Sequence, residues 1–211
     1  MGAKTLLTTI AVVSMLLTAC TSADAGISAS GEASPTASET LTPPSPTPTP
    51  SPSLTPLTDD EVLAAIPEWT LGESIESAAG FSRFYVELYP TMFTEPYDTR
   101  VFGSLATTNC NFCAETLERV ASTEQESAYS TGGSFTWPNA EDYVNVARGG
   151  LSEDGYWYIE QDMVMTTIET YSEDGTPLGS SPGGSGLATT KLSWSDGLWA
   201  VEDVYFLFDD E

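Results

Sequence analysis

Three Asp-Gly dipeptides, at 154–155, 174–175 and 196–197, punctuate the second half of the chain between apolar, β-prone runs. Both residues tolerate positive φ, so each dipeptide is a hairpin signal. The runs span 142–149, 156–171, 188–194 and 198–208, with a shorter piece near 133–137. A chain that reverses three times in this way builds an antiparallel sheet. The run 156–171 is long for one strand, and its alternation slips at Gln161-Asp162. That slip predicts a bulge that bends the sheet. The glycines and Pro182 of 179–187 predict a loop between the second and third turns.

Helical patterns come first in the chain. Thr58-Asp59-Asp60-Glu61 reads as an N-cap followed by acids, and the helix it opens stops near Pro67. Ala78, Phe81, Phe84, Tyr85, Leu88 and Tyr89 follow three-four spacing and predict a helix from about 73 to 89, ended or kinked by Pro90. Further helices are expected over 98–106 and from about 109. Helices followed by strands describe an α+β fold. All five Trp, nine Tyr and eight Phe fall within 59–211, which gives that stretch the material for one core.

The N-terminus reads as an address. Lys4 precedes a short apolar run from Leu6 to Leu17, too short for a comfortable membrane span. Leu17-Thr18-Ala19-Cys20 then resembles a bacterial lipobox at all four positions. The resemblance implies that 1–19 is a signal peptide and that Cys20 becomes the first residue and carries the lipid (palmitate-type acyl chains). Two or more acyl chains suffice for stable anchoring. The expected location is the extracytoplasmic face of the cell membrane. Cleavage would remove Lys4 and no acid, leaving 31 acids against five bases. A polybasic lipid-binding patch is therefore excluded.

Residues 21–58 hold 8 Pro, 8 Ser and 8 Thr, with no aromatic and no base. Such a segment cannot bury enough apolar surface to offset its ordering entropy. Pro46-Thr47-Pro48-Thr49-Pro50 favours extended polyproline II, at ~3.1 Å per residue. The expectation is a disordered, semi-rigid tether over 20–58 that holds the globular part, 59–211, away from the membrane. Its composition also resembles O-glycosylated stalks.

Two resemblances follow. The order of helices and bent antiparallel sheet resembles the nuclear-transport-factor-2-like fold, also called cystatin-like, a half-open cone of helices packed in a curved sheet. More locally, Ala78-Ala79-Gly80-Phe81-Ser82-Arg83-Phe84-Tyr85, then Leu88-Tyr89, Ser104-Leu105 and Cys110-Asn111-Phe112-Cys113, is similar to a family of actinobacterial lipoproteins of unknown function. Pro90-Thr91-Met92-Phe93 departs from that family's uninterrupted helix. Trp194-Ser195-Asp196-Gly197-Leu198-Trp199 resembles the closing hairpin of the wider fold. The resemblance implies no activity.

The composition excludes several chemistries. The formal charge is −25 and there is no histidine. Triads, His-ligated metals and imidazole switches are ruled out, and the charge has the wrong sign for nucleic acid. With Cys20 assigned to the lipid, Cys110 and Cys113 remain as a pair in an oxidising compartment. They read as a structural disulfide, or alternatively as a redox dithiol at a helix start. No cofactor is expected. Phe84, Tyr85, Trp157 and Trp199 are candidates to line a pocket, or else form core. Asp162 and Asp203 lie inside predicted strands, where an inward carboxylate beside a Tyr could serve as a general base. The leading expectation is a non-catalytic binding domain whose partner is a basic envelope protein. The alternatives are an isomerase- or dehydratase-type enzyme using a buried Asp/Tyr pair, and a passive binder of a small apolar ligand.

Overall fold

The computed structural model describes residues 54–138 and 147–209. The signal segment, Cys20, most of the tether and the first part of the strand expected over 142–149 lie outside the described residues. No described helix is long and apolar enough to cross a membrane.

Four α-helices precede the strands. In α1, Asp59–Ala65, the Thr58 hydroxyl accepts from Glu61 N at 3.3 Å, and the Glu61 carboxylate accepts from Thr58 N at 2.8 Å. This reciprocal box satisfies two orphan donors at the helix start. A 3-10 turn follows over Glu68–Thr70. Then α2, Ile75–Leu88, is capped by the Ser74 hydroxyl on Ser77 N at 3.2 Å. The chain tightens into a second 3-10 turn at Tyr89–Phe93, because Pro90 cannot continue the α-helical ladder. Two more helices, α3 at Arg100–Leu105 and α4 at Asn111–Gln125, complete the helical half.

The strands are β1 Tyr129–Gly132, β2 Phe135–Thr136, β3 Ala147–Leu151, β4 Trp157–Met165, β5 Ile168–Tyr171, β6 Pro177–Ser181, β7 Gly184–Ser195 and β8 Leu198–Phe208. All pair antiparallel, as β1-β5-β6 and as β2-β4-β7-β8, with β3 beside β2 on the same edge of β4. The larger sheet curls into a half-barrel. Phe135 of β2 stacks on Phe206 of β8 with ring centroids 5.5 Å apart. Two strands lie between them, and a flat sheet would hold them roughly 14 Å apart at about 4.8 Å per strand.

The run 156–171 bends, but not at the expected place. Register against β7 is unbroken through Gln161 and Asp162, and against β3 up to Gln161, so no bulge sits there. The strand breaks at Thr166-Thr167. The neighbouring strands break beside it, at Gly133-Ser134 and at Pro182-Gly183. Thr166 N donates to Ser134 O at 3.0 Å, and Gly133 N to Thr167 O at 3.3 Å. These three breaks form one crease shared by both sheets. A Cβ at Gly132 would strike the Thr167 carbonyl, and one at Gly183 would strike the Met165 carbonyl. Glycine is needed there because backbones approach closely. The bulges that do occur are at Thr170/Tyr171 and Lys191/Leu192. The segment 179–187 is mostly strand rather than loop, and β1 has no counterpart in the expected runs.

All three Asp-Gly sites are hairpins, but only Asp196-Gly197 uses positive φ at both positions (53° and 85°). At the other two, Gly155 N donates to Ser152 O and Gly175 N to Ser172 O, at 3.0 and 2.9 Å. Glycine alone is left-handed there, as in a type I turn closed by a bulge.

Candidate functional site

The expected pocket residues do not occupy one environment. Tyr85 from α2 and Trp199 from β8 lie on the concave side of the sheet and are 0% and 2% exposed. Tyr85 stacks on Phe102 at 4.4 Å between centroids, and its hydroxyl reaches the Phe102 carbonyl at 3.3 Å and Cys113 Sγ at 3.0 Å. Burial pushes this hydroxyl well above its ordinary pKa. Trp199 Nε1 donates to Thr70 O at 3.1 Å, so the 3-10 turn after α1 is fastened to the sheet. Trp157 and Trp194 pack on Trp199 at 5.5 and 4.6 Å. Phe84 and Trp157 are half-buried at the margin of this packing. These aromatics hold the helices to the sheet.

Asp162 is not inward. Burial along β4 alternates strictly from Ile159 to Met165, which puts Ile159, Gln161, Met163 and Met165 inside and Asp162 outside. It bonds Arg148 Nη2 at 2.9 Å, and its side chain is 55% exposed. It lines a shallow outer cleft of about 360 Å³ with Val164, Leu187 and Leu207.

Asp203 is buried, at 8% exposure, but in another setting. Its Oδ1 accepts from Phe112 N at 3.3 Å and from Val204 N at 3.0 Å. Its Oδ2 accepts from the Tyr205 hydroxyl at 2.6 Å. That hydroxyl is held above its ordinary pKa by this bond and by the carboxylate charge. Phe112 is in the first turn of α4, where backbone N–H groups lack intrahelical partners. The carboxylate therefore caps α4 from β8, and a negative charge is favourable at that helix end. Cys110 and Cys113 are bonded to each other in the same turn, each 2% exposed. Cys110 Sγ accepts from Cys113 N at 3.1 Å, the place of a conventional N-cap oxygen. The segment before α4 is fixed too: Thr107 N donates to Val201 O at 2.9 Å, and the Thr107 hydroxyl to Glu202 at 3.0 Å. Disulfide, carboxylate and strand edge fix one helix start.

A buried polar network was not legible in the sequence. Gln161 Nε2 bonds the Ser82 hydroxyl at 3.2 Å and the Ala79 carbonyl at 3.3 Å, while its Oε1 accepts from Arg83 Nε. Ser82 also bonds Thr190 at 2.7 Å. The network joins α2 to β4 and β7. Arg83 is 5% exposed and lies 5.8 Å from the Trp137 ring centroid. The available signal was Gln161 at an inward position of an apolar strand, where burial of a polar group demands partners.

No group of three or more Cys, Asp and Glu among the described residues is placed to hold a metal ion. Two further surface clefts are open to solvent. One, of about 710 Å³, is lined by Glu126, Ser172, Glu173, Asp174 and Thr176. The other, of about 220 Å³, lies between α4 and the β1-β5-β6 sheet.

No family model matches the chain, and no curated protein matches it. Among solved structures, the intermembrane space region of the chloroplast protein ARC6 aligns over 75% of this chain and 100% of its own, at 10% identity and a TM-score of 0.44. Aln2 from a Streptomyces species aligns over 51% of this chain and 73% of its own, at 11% identity and a TM-score of 0.29. These distant likenesses carry no inference about function.

Proposed function

We propose that the chain is a lipoprotein anchored through Cys20 at the extracytoplasmic face of the cell membrane, with residues 59–211 as a non-catalytic binding domain held out on a Pro/Ser/Thr tether. The observation that carries this reading is Leu17-Thr18-Ala19-Cys20 after a short apolar run. The α+β half-barrel is compatible with a nuclear-transport-factor-2-like cone, and we adopt that as the finer fold. A binding role is favoured over a catalytic one by the state of the two candidate carboxylates. Asp162 is outside and paired with Arg148, and Asp203 is occupied by two backbone donors and a hydroxyl. With 31 acids against 6 bases, a macromolecular partner would offer a basic surface.

The test is expression of the full chain in a bacterium that processes lipoproteins, beside Cys20→Ser. The reading expects the parent chain in the membrane fraction, incorporating labelled palmitate, and the variant unlabelled. A parent chain that is secreted free and unlabelled contradicts it.

A further inference from the structure

The smaller sheet carries an unusual inner face. Ser130 of β1 and Thr170 of β5 are register partners, and their hydroxyls bond at 3.1 Å. Ser181 of β6 opposes Ile168, two residues from Thr170 on the same face. A sheet face turned toward a helix ordinarily carries apolar residues. Here three of these four side chains are hydroxyls, and they face α4 across the cleft of about 220 Å³. That is room for roughly seven waters at about 30 Å³ each, or for one small polar molecule.

Arg119 of α4 lines the same cleft. Its guanidinium carbon lies 5.9 Å from the Tyr89 ring centroid and 5.6 Å from that of Phe93. Those rings are 7% and 6% exposed and form the floor. The chain has 31 acids, and Glu115 stands four residues earlier on α4, yet Arg119 makes no ion pair with any described residue. The other cations among the described residues are engaged: Arg100 with Asp98, Arg148 with Asp162, Lys191 over Tyr156, and Arg83 with Gln161. Packing over two rings outweighs an exposed helical ion pair, which contributes only about 0.3–0.5 kcal/mol. The result is an accessible guanidinium whose donors meet no carboxylate, beside a wall of hydroxyls. Guanidinium and hydroxyl donors together are the recognition set for an oxyanion.

We propose that this cleft binds a small hydroxylated ligand through an oxyanion group, a carboxylate or phosphate, with Arg119 as the charged anchor and Ser130, Thr170 and Ser181 contacting the polar body. The proposal does not depend on the lipid anchor.

The test uses the purified full chain in detergent at about 0.15 M salt, where a Debye length of about 8 Å screens the acidic surface. Glucuronate, glucose 6-phosphate, inorganic phosphate and glucose are titrated while NMR follows the Arg119 Nε–Hε resonance. The expected result is saturable binding of glucuronate or glucose 6-phosphate, tighter than that of glucose. Which of the two binds identifies the oxyanion. Arg119→Gln should weaken binding at least roughly tenfold, the loss of a charge-assisted bond, while the lost packing over the two rings lowers the thermal midpoint by only about 1–4 °C. Ser181→Ala should weaken the sugar anions more than inorganic phosphate. Three outcomes would overturn the proposal: no saturable shift with either sugar anion, glucose binding as tightly as the tighter of the two sugar anions, or unchanged binding of that anion in Arg119→Gln.

Discussion

Replacing Asp203 by alanine separates a structural carboxylate from a catalytic one. The side chain holds three donors: Phe112 N, Val204 N and the Tyr205 hydroxyl. Tyr205 is 57% exposed, so its hydroxyl would return to water at little cost. The two backbone donors would not recover so easily, and each unsatisfied buried donor costs about 1–3 kcal/mol. Loss of the negative charge at the start of α4 adds about 0.3–1 kcal/mol. Water reaching the vacated site offsets part of this, so the expected loss is about 3 kcal/mol. In a chain of this size that lowers Tm by roughly 6–12 °C. Asp203→Asn keeps one acceptor and should cost about 1 kcal/mol, mainly the charge. Urea unfolding followed by tryptophan fluorescence reads both variants, because Trp199 passes from 2% exposure to full hydration. A catalytic base held in place for chemistry predicts the opposite, a neutral or stabilising substitution. If Asp203→Ala unfolds within 0.5 kcal/mol of the parent, the capping account is wrong.

Replacing Cys110 and Cys113 together by serine opens a loop closed by residues three apart, which the chain-entropy relation values at about 2 kcal/mol; an unchanged urea midpoint would show that the crosslink does not restrain the start of α4. At Gly80 a Cβ would come within 2.2 Å of the edge of the Trp69 ring, which is 57% exposed, so Gly80→Ala should displace that ring and cost about 1 kcal/mol, visible as a changed tryptophan spectrum together with a lower Tm. The pH dependence has two branches. Asp98, bonded by Arg100, Asp154, bonded by the Tyr158 hydroxyl, and Asp174, bonded by the Ser172 hydroxyl, are all held below the ordinary carboxylate range. A depressed folded pKa contributes stability above the unfolded value and loses it as pH falls through the folded one. Relief of repulsion among 31 acids acts the other way, and in a chain without histidine it sets in only as pH falls below about 5. The urea midpoint should therefore stay nearly level from neutrality to about pH 5 and fall by pH 3, and a midpoint still rising at pH 3 would refute the carboxylate bonds.

The α+β order was legible because its signals are local. Thr58 and Glu61 form the box their spacing announces, and the three Asp-Gly sites all turn. Pro90 ends α2 for a steric reason that needs no tertiary context. The crease was not legible. It depends on Gly132 and Gly183 meeting carbonyls of strands far along the chain, and nothing near Thr166-Thr167 announces it. Orientation was the other gap. A one-residue error in strand phase exchanges inside for outside. Assigning a bulge to Gln161-Asp162 blurred the phase of β4, whose unbroken alternation puts Gln161 in the core and Asp162 in solvent. Asp203 reads in the sequence as a carboxylate inside a strand, but its partner, the backbone of Phe112, is 91 residues away in sequence. The Arg119 cleft was missed for the same reason, since its wall and its floor come from separate elements.

The most direct test of the central claim is the mass of the N-terminal peptide of the chain recovered from membranes. The account predicts a chain that begins at Cys20 and carries a thioether-linked diacylglycerol on that residue. A chain that retains residues 1–19, or one that begins elsewhere with Cys20 unmodified, would contradict it.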